Sequence, residues 1–232
     1  MSTATITVPN FMSRKPAVVA VVASAEDFEE LSKLPPRSAD LCELRIDLLQ
    51  NCSADLDNLI ADLAISKIVT VRDPREGGAN QLSAETRLKL FSQWLPVCDY
   101  IDIECRNLSE FSGLVREAER RGKGIIYSFH DFEKTPEVSQ MEELLERAEP
   151  TANQIFKIAT EVSTWQDVEK LILFMRRNHE RNVAAMGIGS LGKLSRLVLA
   201  RLGSVLVYAA LGRKVVAAQW EVAALRSILA EL

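Results

Sequence analysis

The chain has 232 residues, 47% of them hydrophobic, and a formal charge of −4 at neutral pH. That length holds one large domain or two small ones, and the mild acidity leaves no electrostatic footprint for nucleic acid or an anionic membrane. No apolar stretch approaches the roughly 20 residues that span a bilayer, and Met1-Ser2-Thr3-Ala4-Thr5 lacks the basic-then-apolar plan of a signal peptide, so a cytoplasmic location is expected.

Short apolar runs alternate with longer amphipathic segments along the whole chain. The first run, Ala17–Ala23, precedes a helical pattern at Glu26–Lys33, and Leu41–Ile46 precedes one at Ala54–Ala64. Lys67–Val71 precedes Ala84–Trp94, for which Ser83 has the chemistry of an N-cap. Tyr100–Ile103 leads to Leu108–Arg121, and Gly124–Phe129 leads to Ser139–Ala148. Ile155–Ala159 leads to Thr164–Asn178, where Leu171, Phe174 and Met175 recur at helical spacing. Val183–Met186 with Leu194–Leu202, and Val205–Ala210 with Ala217–Leu229, complete the series. Strand then helix, about eight times, predicts an α/β fold of the (β/α)8 TIM-barrel type, one domain over residues 1–232. A doubly wound open sheet uses the same units and is the alternative. Pro35-Pro36 and Gly77-Gly78 read as loops inside the repeat rather than linkers.

The polar residues that interrupt the apolar runs carry the functional signal. Lys157 sits inside Ile155-Phe156-Lys157-Ile158-Ala159. An ammonium is costly to bury, and desolvation favours its neutral form, an amine that attacks carbonyls and forms Schiff bases. His130, one of two histidines, ends the apolar run that begins at Gly124, where a barrel presents its reactive groups. His179 follows a basic helical pattern and reads as an exposed helix-end residue. Glu43, Arg45 and Asp47 alternate, so on one strand all three would point the same way. Arg72-Asp73-Pro74-Arg75-Glu76-Gly77-Gly78 reads, taken alone, as a solvated turn. Asp102 and Glu104 end the fourth run, and Arg196 follows the seventh. The four cysteines, Cys42, Cys52, Cys98 and Cys105, show neither CxxC nor zinc spacing and read as buried thiols. No glycine-rich phosphate loop is present.

Five ordered motifs carry a resemblance: Glu43-Leu44-Arg45-Ile46-Asp47; Thr70-Val71-Arg72 with Glu76-Gly77-Gly78; Ser128-Phe129-His130-Asp131-Phe132 with Thr135-Pro136; Phe156-Lys157-Ile158-Ala159; and Met186-Gly187 with Ser195-Arg196. From about Pro16 onward the chain resembles type I 3-dehydroquinate dehydratase. The resemblance implies a (β/α)8 barrel, commonly a homodimer, that removes water from the small-molecule substrate 3-dehydroquinate in the shikimate pathway without metal or organic cofactor. By motif, Lys157 looks like the imine-forming lysine, His130 like the acid/base group and Glu76 like the carboxylate that orients it. Arg196 looks like the clamp on the substrate carboxylate, and Glu43, Arg45 and Arg72 like the polar shell around the substrate hydroxyls. One segment departs from the pattern. Where the family usually has Ser-Ala-Pro-Gly-Gln, this chain has Val215-Val216-Ala217-Ala218-Gln219. Gln219 keeps its place as a substrate ligand, Val215 lacks the hydroxyl, and the two alanines are expected to make the loop more helix-prone. Another Schiff-base barrel enzyme of aldolase type, or a non-catalytic barrel that binds a shikimate-like ligand, are the competing readings.

Overall fold

The computed structural model describes residues 15–50, 56–151, 153–212 and 215–232; Cys52 and the start of the expected Ala54–Ala64 helix lie outside them. Eight parallel strands follow one another: β1 (Ala17–Val22), β2 (Leu41–Arg45), β3 (Ser66–Thr70), β4 (Tyr100–Glu104), β5 (Gly124–Asp131), β6 (Gln154–Glu161), β7 (Val183–Ile188) and β8 (Leu206–Ala210). Each pairs with its chain neighbour from β1 to β7, and β8 pairs with β1. The remaining gap narrows at the start of β8. There Val205 N–H donates to the Val183 carbonyl at 2.9 Å, and the Ser204 hydroxyl accepts from Ala185 N–H at 3.0 Å and donates to the Leu206 carbonyl at 3.0 Å. This is the TIM barrel that the sequence predicts; an open doubly wound sheet would leave β7 and β8 as distant edges.

The helices between strands are α1 (Ala25–Lys33), α2 (Ile46–Leu49), α3 (Leu56–Ala61), α4 (Ala84–Trp94), α5 (Ser112–Arg120), α6 (Val138–Ala148), α7 (Trp165–Arg177), α8 (Gly192–Arg201) and α9 (Val222–Glu231). Local chemistry sets several of their starts. The Ser83 side chain accepts Thr86 N–H at the head of α4. Thr164 and Asp167 form a capping box at the head of α7, each satisfying a donor that the helix leaves open.

Strand residues alternate between two cores, as the period of two requires. Leu44, Val69, Ile101, Ile103, Ile125, Phe156 and Ile158 face outward and pack with Phe91, Phe111, Leu145, Leu171 and Phe174 of the helical layer. Val19, Leu41, Ile68, Tyr100, Ile126, Ile155, Ala184 and Leu206 fill the barrel interior. Two residues further along their strands, the same inward faces present Glu43, Thr70, Asp102, Ser128 and Lys157, all buried. The barrel is thus plugged by hydrocarbon at one end and charged toward the other.

Two elements differ from the sequence reading. The expected Ala217–Leu229 helix begins only at Val222. Ala217 and Ala218 lie in a turn, and Trp220–Glu221 add a ninth parallel strand, β9, beside β8. The indole N–H of Trp220 donates to the Lys193 carbonyl at 3.0 Å, and the Gln219 Oε1 accepts Val216 N–H at 3.2 Å. These tertiary contacts override alanine's helix propensity. The expected Leu108–Arg121 helix starts at Ser112, after a turn in which buried Asn107 accepts from Arg87 at 3.2 Å.

Arg87 of α4 fastens this end of the barrel. Its side chain is fully buried and donates to the Val71 carbonyl at 2.9 Å, to Asp73 at 3.0 Å and to Glu104. Removing it would take one cation from each of two buried carboxylates, leaving Glu104 to Arg72 and Asp73 to the exposed Arg75, a loss of about 3 kcal/mol, the low end for breaking a buried pair. Arg87→Ala is therefore expected to lose that much in urea unfolding, and a loss below about 1 kcal/mol, the usual worth of an exposed pair, would contradict the assignment.

Candidate active site

A pocket of about 660 Å³, open to solvent, occupies the barrel mouth at the C-terminal ends of the strands. All eight residues singled out from the sequence line it: Glu43, Arg45, Arg72, Glu76, His130, Lys157, Arg196 and Gln219.

Lys157 lies mid-way along β6 and is 3% exposed. Its Nζ donates to Asp102 Oδ2 at 2.8 Å, approaches Glu43 Oε1 at 3.6 Å and lies 4.2 Å from the centre of the Tyr208 ring. This corrects the sequence picture of an ammonium stranded among apolar residues. The adjacent Phe156 and Ile158 face outward, while opposite charge meets Lys157 on the inside and offsets its burial. Asp102 is shared: its Oδ1 accepts from Arg72 at 2.9 Å and from the Ser128 hydroxyl at 2.6 Å. Burial alone would raise the Asp102 pKa, but the charges of Arg72 and Lys157 override it and hold the carboxyl well below its ordinary range. Arg72 also donates to Glu104 at 2.8 Å, and Glu43 accepts the Thr70 hydroxyl at 2.9 Å.

Arg45 ends β2 and grips Asp47 with two hydrogen bonds, at 3.0 and 2.8 Å. Asp47 is not a third strand position. The chain turns into α2 at Ile46, and Asp47 folds back to pair with Arg45. Its second oxygen accepts Ala79 N–H at 3.1 Å, tying α2 to the loop after β3.

That loop is not the solvated turn it resembles in isolation. Arg72, Asp73 and Glu76 are buried, and Arg75 faces water. Glu76 N–H and Gly78 N–H both donate to the Asp73 carbonyl, at 2.8 and 2.9 Å, which folds the loop tightly inward. Gly77 has φ +83°, and a Cβ there would lie 2.9 Å from the Phe132 ring, so backbone and aromatic edge meet where only glycine fits. A Cβ on Gly78 would strike the Arg72 carbonyl.

The loop delivers Glu76 to His130. Glu76 Oε2 accepts His130 backbone N–H at 2.9 Å and lies 3.0 Å from His130 Nδ1. With Glu76 ionised the carboxylate can only accept, so Nδ1 carries the ring proton in that state and the Nε2 lone pair is left for the pocket. Burial, with Arg72 and Lys157 close by, lowers the imidazole pKa well below its ordinary value. Glu76 is pushed up to about 7 by burial and by Glu104, against the pull of Arg72, the His130 N–H and Arg106. Arg106 Nε lies 3.1 Å from Glu76 Oε1.

Arg196, in the first turns of α8, donates from Nε to the Gly187 carbonyl and from Nη1 to the Tyr208 carbonyl, both at 3.1 Å. Among the described residues no carboxylate pairs with it, and burial lowers its pKa to about 10. A buried guanidinium without a counter-charge at a pocket wall is a receptor for an anion. Gln219 is buried, with its Oε1 engaged by Val216 and its amide nitrogen left for the pocket. Val215 and Val216 line the same wall and offer no side-chain donor.

Several supporting residues carry no readable sequence signal. Arg87 and Arg106 look like exposed basic residues in an amphipathic pattern, and Tyr208 looks like a core aromatic. Asp102 stands out only as a charge at a strand end. His179 is exposed, as expected, and Cys42, Cys98 and Cys105 are free and buried, with burial raising each thiol to about 12. Among the described residues no cluster could hold a metal ion, and no helix is long and apolar enough to cross a membrane.

Residues 17–232 match the sequence family described as type I 3-dehydroquinase. The 3-dehydroquinate dehydratase of Pyrococcus abyssi is 34% identical over 215 residues, 91% of this chain and 97% of that one. The solved structure of 3-dehydroquinate dehydratase from Aquifex aeolicus superposes with a TM-score of 0.80 at 27% identity, covering 93% of this chain and 98% of that one. The counterpart from Geobacillus kaustophilus has a TM-score of 0.82 and covers 94% and 91% of the two chains; at 23% identity it bears on the fold.

The dyad's geometry generates a titration test. With carbon-13-labelled glutamate, the Glu76 carboxyl should titrate near 7, as burial demands. Arg106→Ala removes an opposite charge that favours the carboxylate and should move the midpoint higher. A wild-type midpoint in the ordinary carboxylate range would contradict the buried pairing.

Proposed function

The chain belongs to the type I 3-dehydroquinase family, and from that membership we propose that it removes water from 3-dehydroquinate through an imine formed on Lys157. The enzyme is a hydro-lyase of the 3-dehydroquinate dehydratase type. The observation that carries the mechanistic reading is the convergence on one pocket of a buried lysine, a carboxylate-oriented histidine and an unpaired buried arginine.

Each part then has a role. Arg196 receives the substrate carboxylate, and the ring lies across the pocket so that its ketone meets Lys157. Glu43, Arg45 and Arg72 face the ring hydroxyls, with Gln219 closing from the loop. Lys157, once its ammonium proton has left, adds to the C3 carbonyl; the carbonyl oxygen departs as water and a protonated imine remains. Asp102, at 2.8 Å from the nitrogen, balances that cation as it balances the ammonium. The imine draws electrons from the neighbouring C2–H bond. His130 Nε2 takes the C2 proton, and the bond's electrons form an enamine. The nitrogen lone pair then re-forms the C3=N bond while the C2=C3 electron pair shifts to make the C1=C2 bond and expels the C1 hydroxyl, which takes the proton from His130 and departs as water. Hydrolysis of the imine releases 3-dehydroshikimate and restores Lys157. Glu76 holds the imidazole in the Nδ1–H tautomer and balances the imidazolium that forms between the two proton transfers.

In the wider reading this is a step of the shikimate pathway, carried out by a cytoplasmic homodimer; sedimentation of the purified protein checks the dimer. The catalytic reading is tested by adding borohydride with 3-dehydroquinate. The expected result is a mass increase on the peptide containing Lys157, absent in Lys157→Ala together with turnover. Label on another lysine contradicts the assignment. His130→Ala should keep the trap and lose about 10²–10⁴-fold in turnover, the usual weight of acid/base catalysis.

Arg196→Lys keeps a charge but not the planar fork. It should raise the Michaelis constant by about tenfold or more, the order expected when a charged hydrogen bond is lost, in an assay that follows the absorbance of the conjugated enone product. An unchanged constant places the carboxylate elsewhere.

A further inference from the structure

One buried polar atom beside Lys157 has no part in the steps above: the hydroxyl of Tyr208. Tyr208 lies in the middle of β8, lines the active-site pocket and is 3% exposed. Its ring covers Lys157 Nζ at 4.2 Å. Its hydroxyl is buried and has no hydrogen-bond partner among the described residues.

Packing does not ask for that oxygen. Phenylalanine would fill the same wall and keep a ring face against the lysine cation, ammonium or imine. An orphaned buried hydroxyl costs stability, and native proteins rarely keep one without a partner. The nearby protein groups are already engaged elsewhere. Glu43 holds Thr70, and Asp102 holds Arg72, Ser128 and Lys157. Burial, with Glu43 and Asp102 close by, keeps the phenol protonated far above neutrality, so the group offers a neutral O–H. Tyr208 lines the pocket, so a molecule bound there is the remaining source of a partner for the hydroxyl.

We propose that Tyr208 is a substrate-binding residue whose hydroxyl donates a hydrogen bond to an oxygen of the cyclic keto acid held on Lys157. The proposal rests on the dehydratase reading and adds a polar contact on the β8 wall, beside the imine nitrogen. It assigns the two parts of one side chain to different tasks. The ring balances the cationic states of Lys157, and the hydroxyl fixes the substrate.

Tyr208→Phe separates the two, because it removes the oxygen and leaves the ring. The expected result is a Michaelis constant raised about tenfold, the weight of one ligand hydrogen bond, with kcat changed by less than about threefold. The melting temperature should stay level or rise, since the variant loses an unsatisfied group rather than a bond. A structural hydroxyl would give the reverse pattern, a lower melting temperature with an unaltered Michaelis constant, and that result overturns the proposal. So does a Michaelis constant within about twofold of wild type, which is less than one hydrogen bond is worth, at any melting temperature. Wild-type protein assayed in parallel with borohydride and 3-dehydroquinate tells the two levels apart. If it labels at Lys157 and turns over while Tyr208→Phe matches it, the Tyr208 assignment alone is wrong. If wild type neither labels nor turns over, the dehydratase mechanism is wrong and the Tyr208 assignment falls with it.

Discussion

A charge buried without a partner is costly, and most of the upper half of this barrel is organised to pair its charges. Lys157 is balanced by Asp102 and Glu43, and Asp102 also receives Arg72. Arg72 reaches Glu104, which accepts in turn from Arg87 on the outer helix α4. Strands β2, β3, β4 and β6 are joined through side chains as well as through their backbones. The cost of desolvating several ions together is several kcal/mol each before pairing. A displaced strand end would leave one of them unpaired, so the network fixes the register of the residues to which the chemistry is assigned. The hydrocarbon plug at the other end of the barrel supplies the stability that such a network does not.

The same network explains how far the sequence could be read. Repeated strand–helix units were legible because each inward and outward face of a barrel strand is buried, which makes the strands nearly continuous apolar runs. Lys157, Glu43 and His130 stood out against that background. Their partners were harder to see. Asp102 is one aspartate at a strand end until β4 and β6 are folded to place it 2.8 Å from Lys157. Arg87 occupies a helix whose other basic residue, Lys89, faces water, and nothing in its type separates it from that one. Loop residues 72–78 were misread in isolation for a related reason. Their charges are those of a surface turn, and their burial depends on glycines that let the backbone fold beneath Phe132. The alanines at 217 and 218 were misread because local propensity is worth only tenths of a kcal/mol per residue, less than the contacts that Trp220 and Gln219 make.

The site keeps two proton-handling pairs apart. Lys157–Asp102 lies within the barrel, where Asp102 is held strongly acidic by two cations. His130–Glu76 lies at the rim, where Glu76 is raised by burial and by a neighbouring carboxylate. The pairs share Arg72 as a common influence: its charge deepens the acidity of Asp102, lowers Glu76 and disfavours a charged His130. The lowered pKa of His130 keeps its imidazole neutral at rest, and Glu76 beside it takes up a proton near neutrality, which suits a group that must accept a proton and return it readily within one turnover.

Separation also sets the order of events. In the proposed mechanism, imine formation would turn a neutral ketone carbon into a cationic one beside Asp102, which already stands in place and needs no reorganisation. On that proposal the electron demand that loosens the C2–H bond would arise on the inner pair, and the proton it releases would be collected by the outer pair. If one carboxylate served both, the proton removed by the histidine could neutralise the group that stabilises the imine, and the electron sink would weaken as it was used. Placing Asp102 beside two cations and burying Glu76 near Glu104 keeps the first ionised while the second can take up a proton near neutrality.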